Sequence, residues 1–289
     1  MFGVYFCNYL EEKGLLSKEQ SAEVIDKCRK SKVKLGLLAT ELNFMTQEQA
    51  NEVNKIQQKE DRRFGDIAIE KGYLSEGQLS LLLKQQGDGY LLFVQAVTEA
   101  DLLDNDEIQK ILGTYAIDKE LSQEDVEAIK SGDIDREVQV FLNKSDLSQF
   151  YKEYVALTAR FLVRFVDANV RIDVPVKVDN YTYKYKALQG FIGDKSFNTM
   201  FAGDDGALTD IAEAMLKEEM GEVDMDTLDA VCEFLNMNNG LFARDEYEKG
   251  ISVDMLPPEM ELESGEVNGN VYKIPFFVHG KELDLIISE

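Results

Sequence analysis

The sequence predicts an α+β protein in which long helices pack on a mainly antiparallel sheet, preceded by an all-helical repeat module. Three observations predict it. A helical motif recurs every 29 residues through the front of the chain, at Leu16-Ser17, Met45-Thr46, Leu74-Ser75 and Leu103-Asp104. Beyond residue 169 the pattern changes, and Val170, Ile172, Val174, Val176 and Val178 alternate as in a strand. Two further amphipathic helices then separate that early β region from a final one ending at Ser288.

The front elements follow from the repeat. Each member supplies a Ser, Thr or Asp suited to an N-cap, followed by apolar residues at three- and four-residue spacing. A fixed period of this length indicates stacked helical units sharing a core. Leu121-Ser122 comes only 18 residues after the fourth member and ends the period. In the back half a helix is expected over Leu147–Val166 and strands over 170–178, Tyr181–Ile192 and Ser196–Ala202. Pro175 argues for an edge position in the first of these. Helices are expected over Gly206–Lys217 and Met225–Asp245, then strands over Ile251–Met255, Val271–Val278 and Lys281–Ser288, with a hairpin turn at His279-Gly280. Three segments result: a repeat module (1–88), an acidic helical extension (89–145) and a C-terminal domain (146–289).

Composition narrows the function classes. With 289 residues, 44% hydrophobic and 30% charged, the chain can bury a core in each half. The formal net charge of −24 opposes binding to nucleic acid and to anionic membranes. Residues 1–88 hold 13 basic and 14 acidic side chains, whereas residues 146–289 hold 13 and 28, so the modules face different partners. Glu11 and Glu12 follow the short apolar start at once, and Arg160 and Arg164 interrupt the apolar run Ala156–Val166. Neither segment reads as a secretory signal or a membrane span, and a cytoplasmic location without membrane insertion is expected. Cys7, Cys28 and Cys232 form no CxxC pair and no disulfide framework.

The chemistry candidate lies in the second helix of the back half. At about 100° per residue from Leu228, Leu228, Val231, Leu235 and Phe242 fall on one stripe, roughly 300° to 360°. Asp229, Glu233, Asn236 and Gly240 fall on a second, polar face at roughly 80° to 140°. A carboxylate and a carboxamide one turn apart can reach a partner's active site together, and Gly240 leaves room for a close backbone.

This E-x-x-N, with an acidic residue four before Glu233 and a glycine four after Asn236, resembles the signature of the CheC/CheX/FliY phosphatases. Ala187-Leu-Gln-Gly-Phe-Ile-Gly193, Phe197–Phe201 and Gly206-Ala-Leu-Thr-Asp-Ile-Ala resemble the family's strand–strand–helix lead-in, and Ser252–Pro258 its following strand and proline. Only one E-x-x-N is present, which fits CheX better than CheC. The resemblance implies an aspartyl-phosphate phosphatase acting on a CheY-like response regulator. Asn236 would orient the attacking water, Glu233 would pair with the regulator's lysine, and Asp229 and Gly240 would dock it. It implies no cofactor of the chain's own, Mg²⁺ being carried by the phosphorylated regulator, and a homodimer using the strand ending at Val278 or at Ile287. A non-catalytic signalling adaptor is the alternative.

Lys34-Leu35-Gly36 to Gln57 and Arg63-Phe64-Gly65 to Gln86 are both 24 residues long. The pair resembles the tandem motif of the N-terminal domain of MshE-type pilus and secretion ATPases, and so implies a cyclic di-GMP site. Lys27, Arg29, Lys30, Lys32 and Lys34 form a basic cluster suited to that anion. Lys34 stands where the motif has arginine, Phe64 and Ala50 stand where it has leucine, and the first and fourth repeats lack its start. A cyclic di-GMP receptor whose output is altered partner binding is therefore a further alternative. His279, the lone histidine, and the carboxylates of residues 204–226 suggest neither catalysis nor a metal site.

Overall fold

The computed structural model describes residues 2–30, 33–60, 63–84 and 88–289. The chain forms two compact units, Met1–Gly132 and Asp133–Glu289.

The first unit is helical throughout its described residues and is built from four helix pairs: α1 (Phe2–Glu12) with α2 (Lys18–Lys30), α3 (Leu35–Glu41) with α4 (Gln47–Glu60), α5 (Phe64–Glu70) with α6 (Glu76–Lys84), and α7 (Gly89–Glu99) with α8 (Asn105–Asp118). A ninth helix, α9 (Gln123–Ser131), follows. The period is written into the backbone. Gly14, Asn43, Gly72 and Asp101 end the first helix of each pair with positive φ, between 52° and 72°. Each lies where a left-handed residue closes a helix C-terminus. Three residues later comes a reciprocal capping box. Ser17 Oγ accepts from the Gln20 N–H while Gln20 Oε1 accepts from the Ser17 N–H. Thr46 with Gln49, Ser75 with Gln78 and Asp104 with Glu107 repeat it.

Apolar packing runs through all four pairs. Val33, Leu38, Val53, Phe64, Ile67 and Leu82 belong to one apolar cluster spanning the second and third pairs. Phe2, Phe6, Tyr9, Phe93 and Tyr115 join the first and fourth in edge-to-face and stacked contacts, with centroids 5.0 to 6.3 Å apart. The two groups meet at α7, where Leu91 belongs to the first cluster and Tyr90, packed against it, lies edge-to-face on Phe2 at 5.1 Å, so the stacked pairs share one core as the period predicts.

The second unit opens with α10 (Ile134–Leu142) and α11 (Gln149–Phe165). Then come β1 (Arg171–Ile172), β2 (Val176–Tyr183), β3 (Lys186–Gly193), β4 (Phe197–Gly203), α12 (Asp205–Leu216), α13 (Met225–Glu248), β5 (Val253–Met255), β6 (Glu259–Glu261), β7 (Gly265–Val278) and β8 (Lys281–Ser288). The strands form one antiparallel sheet in the order β1-β7-β8-β4-β3-β5, with β2 also on β7 and β6 also on β3. One face carries the helices, with Phe242 of α13 edge-to-face on Phe191 and Phe197, which stack on each other at 4.5 Å. On the other, Met200, Ala202, Val271 and Ile286 pack under Tyr181 and Tyr183 of β2.

Several expectations change here. The alternating valines split into β1 and β2 around Pro175, which has no N–H for the ladder, and both lie at the sheet edge as that proline implied. Tyr181–Tyr183 belong to β2 rather than to the next strand, and β6, after the two prolines, has no alternating pattern to announce it. The strands ending at Val278 and near Ile287 pair with each other and have a further partner on their other sides, so neither is the exposed edge expected for a dimer. The edges are β1 and β2 on one side and β5 and β6 on the other.

Candidate functional site

α13 begins at a capping box, Asp224 with Thr227, and runs for 24 residues across β3, β5 and β6. Leu228, Val231, Leu235 and Phe242 are buried, as the apolar stripe requires. On the second face Asp229 and Glu233 are exposed, and Asn236 and Gly240 are half-buried. A Cβ at Gly240 would meet only the end of Met255, at 3.8 Å, so the space above that glycine is open. Exposed Met237, Met255 and Leu256 add apolar surface beside these polar groups. The four predicted residues therefore share one accessible face. Glu233 carries no ion pair among the described residues.

Asn236 is more firmly held than a surface asparagine. Its Oδ1 accepts from Gln189 Nε2 at 2.8 Å, and the same nitrogen donates to the Leu256 carbonyl at 2.9 Å. Gln189 is 1% exposed and sits opposite Thr199 in the β3–β4 register, facing the helices. Its Oε1 accepts from Asn239 Nδ2 at 2.9 Å, which also donates to Thr199 Oγ1 at 3.0 Å. Tyr154 of α11 donates to Asn239 Oδ1 at 2.5 Å. Burial pushes the Tyr154 hydroxyl up to about 12, so it stays protonated as that donor. A buried polar chain thus runs from α11 through α13 and the sheet to Asn236, and each of these links is satisfied.

Gln189, Thr199, Asn239 and Tyr154 escaped the sequence reading. The signal was present: by the same helical count Asn238 and Asn239 fall at roughly 280° and 20°, flanking the apolar stripe. Polar residues at inward positions need partners: Asn239 bonds to Gln189, Thr199 and Tyr154, and Asn238 Nδ2 donates to Thr158 Oγ1 at 3.0 Å. Cys232 is buried, its thiol donates to the Glu259 carbonyl at 3.7 Å, and burial pushes it up to about 11, which makes it a poor nucleophile.

In the first unit, Lys34, Leu35, Gly36, Gln57, Arg63, Phe64 and Gly65 line one cavity of about 600 Å³, with Asn54 and Leu83 besides. Gln86 and Lys32 lie outside the described residues. Asn54, three residues before Gln57 on α4, joins the lining with no motif in the sequence to announce it. The charges at the cavity are not all available. Lys34 Nζ lies 2.5 Å from Glu99 Oε1, and Lys27 and Lys30 pair with Glu23 and Asp26 one turn back. The two motif glycines have packing duties as well. A Cβ at Gly65 would lie 2.7 Å from Leu79, and one at Gly36 would lie 3.2 Å from the Phe64 ring.

His279 adopts φ +47° in the β7–β8 turn with Gly280 at +79°, as a two-residue hairpin loop demands. Its Nδ1 lies 3.1 Å from Asp210.

Residues 185–277 match the family model described as the chemotaxis phosphatase CheX. The matched stretch lies in the C-terminal unit and contains α13, β3, β4 and β5, the elements that build the Asn236 site. The match covers no part of the first unit, so the likeness of residues 34–86 to a nucleotide-binding module rests on its motif alone. A comparison with curated proteins gives no significant match. Among solved structures, the chain is similar to the chemotaxis protein CheX from Desulfovibrio desulfuricans, at 20% identity and a TM-score of 0.43, over 48% of this chain and 98% of that one. A CheC-like superfamily protein from Shewanella sp. PV-4 gives 16% and 0.44, over 49% and 98%. A chain of the CheX–CheY–BeF3–Mg²⁺ complex from Borrelia burgdorferi gives 16% and 0.39, over 48% and 97%. No helix among the described residues is long and apolar enough to cross a membrane.

Proposed function

We propose that the C-terminal unit is a CheX domain and hydrolyses the phospho-aspartate of a CheY-like response regulator, with Asn236 and Glu233 as the residues that enter its site. The observation that carries this reading is the shared accessible face of α13, on which Asp229, Glu233, Asn236 and Gly240 lie within the stretch matching a chemotaxis phosphatase. The Gln189 bond occupies one lone pair of Asn236 Oδ1. The second lone pair and the Nδ2 hydrogens remain for a water and a phosphoryl oxygen. Held in line, the water's oxygen attacks phosphorus as the acyl-phosphate P–O bond breaks. The regulator's aspartate leaves as carboxylate, and the water's proton departs with inorganic phosphate. Phosphoryl transfer needs mainly such positioning and charge compensation, and Mg²⁺ and the phosphoryl group belong to the regulator. Glu233, exposed and unpaired, accepts from the regulator's lysine in a charge-assisted contact. The reading places the protein in the cytoplasm, with its regulator.

The test is the lifetime of a CheY-type receiver domain phosphorylated with acetyl phosphate. The full-length protein should shorten it, and Asn236→Ala should remove about a hundredfold of that acceleration, the scale for losing one transition-state contact. Glu233→Gln should weaken receiver binding by about 1.5–3 kcal/mol and leave the saturating rate nearly unchanged. Binding without any acceleration would identify a signalling adaptor instead. Full activity in Asn236→Ala would overturn the mechanism.

A second reading is favoured by one observation, the gathering of both tandem motifs around a single cavity. It makes the first unit a cyclic di-GMP receptor, with Arg63 stacking on guanine or pairing with phosphate. Isothermal titration with cyclic di-GMP tests it, and a flat titration at millimolar nucleotide would make the repeat a purely structural or docking module.

A further inference from the structure

The polar chain behind Asn236 has a direction, and its ends set that direction. A backbone carbonyl can only accept. The Leu256 carbonyl, 2.9 Å from the Gln189 side chain, therefore requires the amide nitrogen of Gln189 on that side. The Gln189 backbone carbonyl takes the single hydroxyl hydrogen of Thr199 at 3.2 Å. Thr199 Oγ1 is then left as an acceptor, and Asn239 must turn its nitrogen toward it, at 3.0 Å. Two independent carbonyls thus impose one polarity. Asn239 offers Nδ2 to Gln189 Oε1, and its Oδ1 takes the Tyr154 proton. Gln189 in turn offers Nε2 to Asn236, which must answer with Oδ1. Flipping any one carboxamide would set donor against donor or acceptor against acceptor inside a buried site, where an unmet polar group costs most.

We propose that Gln189 is the positioning residue of the phosphatase site: anchored by the Leu256 carbonyl, it holds the Asn236 carboxamide with its oxygen turned inward and its amide nitrogen turned toward the bound regulator. A free asparagine side chain interconverts between the two orientations, and only one of them presents both hydrogens of Nδ2 outward. Gln189 touches neither water nor phosphate; it acts through Asn236. Leu256 is held to the task, because its own N–H donates to the Gly190 carbonyl at 2.9 Å, one residue along β3. The assignment rests on the phosphatase reading above.

Two measurements on the full-length protein test it. In the receiver assay, Gln189→Met keeps the volume and removes the donor. The saturating rate should fall at least about tenfold while the half-saturating receiver concentration stays within about threefold, since positioning acts on the transition state. Gln189→Glu adds a readout that packing alone would not move. As a carboxylate, residue 189 cannot donate to Leu256 or Asn236; as a carboxylic acid it can donate to one of them. Relative to the unmodified protein at each pH, the Gln189→Glu rate should rise as pH falls. A folded Gln189→Met with an unchanged saturating rate, beside an inactive Asn236→Ala, would leave the phosphatase reading standing and overturn this one. No acceleration by the unmodified protein would remove both.

Should either variant fail to fold, side-chain amide exchange in the unmodified protein decides. The Gln189 Nε2 and Asn239 Nδ2 protons should exchange slowly and the Asn236 Nδ2 protons quickly. Fast exchange at Gln189 would overturn the proposal without reference to any activity.

Discussion

The two units treat their polar residues in opposite ways. In the first, the recurring polar positions serve the chain itself. Ser17, Thr46, Ser75 and Asp104 close helix N-termini, and three of the lysines that looked like a basic patch are paired with carboxylates. In the second, a line of polar residues from Tyr154 to Asn236 crosses the interior and reaches the surface on one helix face. A periodic sequence reports how a scaffold is made. An aperiodic set of polar residues at inward positions reports what the scaffold holds still, because burying such groups is costly unless each finds a partner.

The largest expected effect that would sharpen this contrast is on stability. Phe242 is 2% exposed among Phe150, Tyr154, Phe191 and Phe197. Phe242→Ala should cost about 3–5 kcal/mol in denaturant unfolding followed by near-ultraviolet circular dichroism. A smaller cost would mean that the polar chain, rather than the aromatic cluster, carries the stability of the second unit.

Two glycines give the next test. Gly65→Ala crowds Leu79 at 2.7 Å and should destabilise by about 1–3 kcal/mol, since a packed side chain must move. Gly240→Ala meets only Met255, at 3.8 Å, and should stabilise the helix by up to about 1 kcal/mol. On the proposed function it should nevertheless weaken receiver binding, because the methyl would fill the open space above Gly240 that the proposal gives to the receiver. Equal effects on stability would show that Gly240 is a packing glycine like Gly65.

The smallest effect concerns the cavity of the first unit. Glu99→Gln releases Lys34 from its ion pair and should tighten cyclic di-GMP binding by about two- to fivefold in low salt, the scale of an exposed pair. Calorimetry on both proteins measures it. No heat in either would make this unit all scaffold and leave the contrast at its sharpest.

By itself the sequence determined the local structure wherever the local chemistry was self-sufficient. The repeat was legible because a cap three residues after a left-handed turn residue needs no distant partner, and its period survives in the backbone. The strand from Lys281 to Ser288, the His279-Gly280 turn, and the two faces of α13 were legible for the same reason. The shared accessible face of Glu233 and Asn236 follows from their spacing on one helix, again a local relation. Tertiary structure alone decided the rest. The interior place of β7 and β8 and the pairing of β6 depend on contacts between residues far apart in the chain. So does the hold on Asn236, whose partners are a glutamine 47 positions earlier and, through it, the carbonyl of Leu256. A hydrogen bond between strand and helix leaves no periodic trace. Only the fold that brings its donor within 2.8 Å of its acceptor can reveal it.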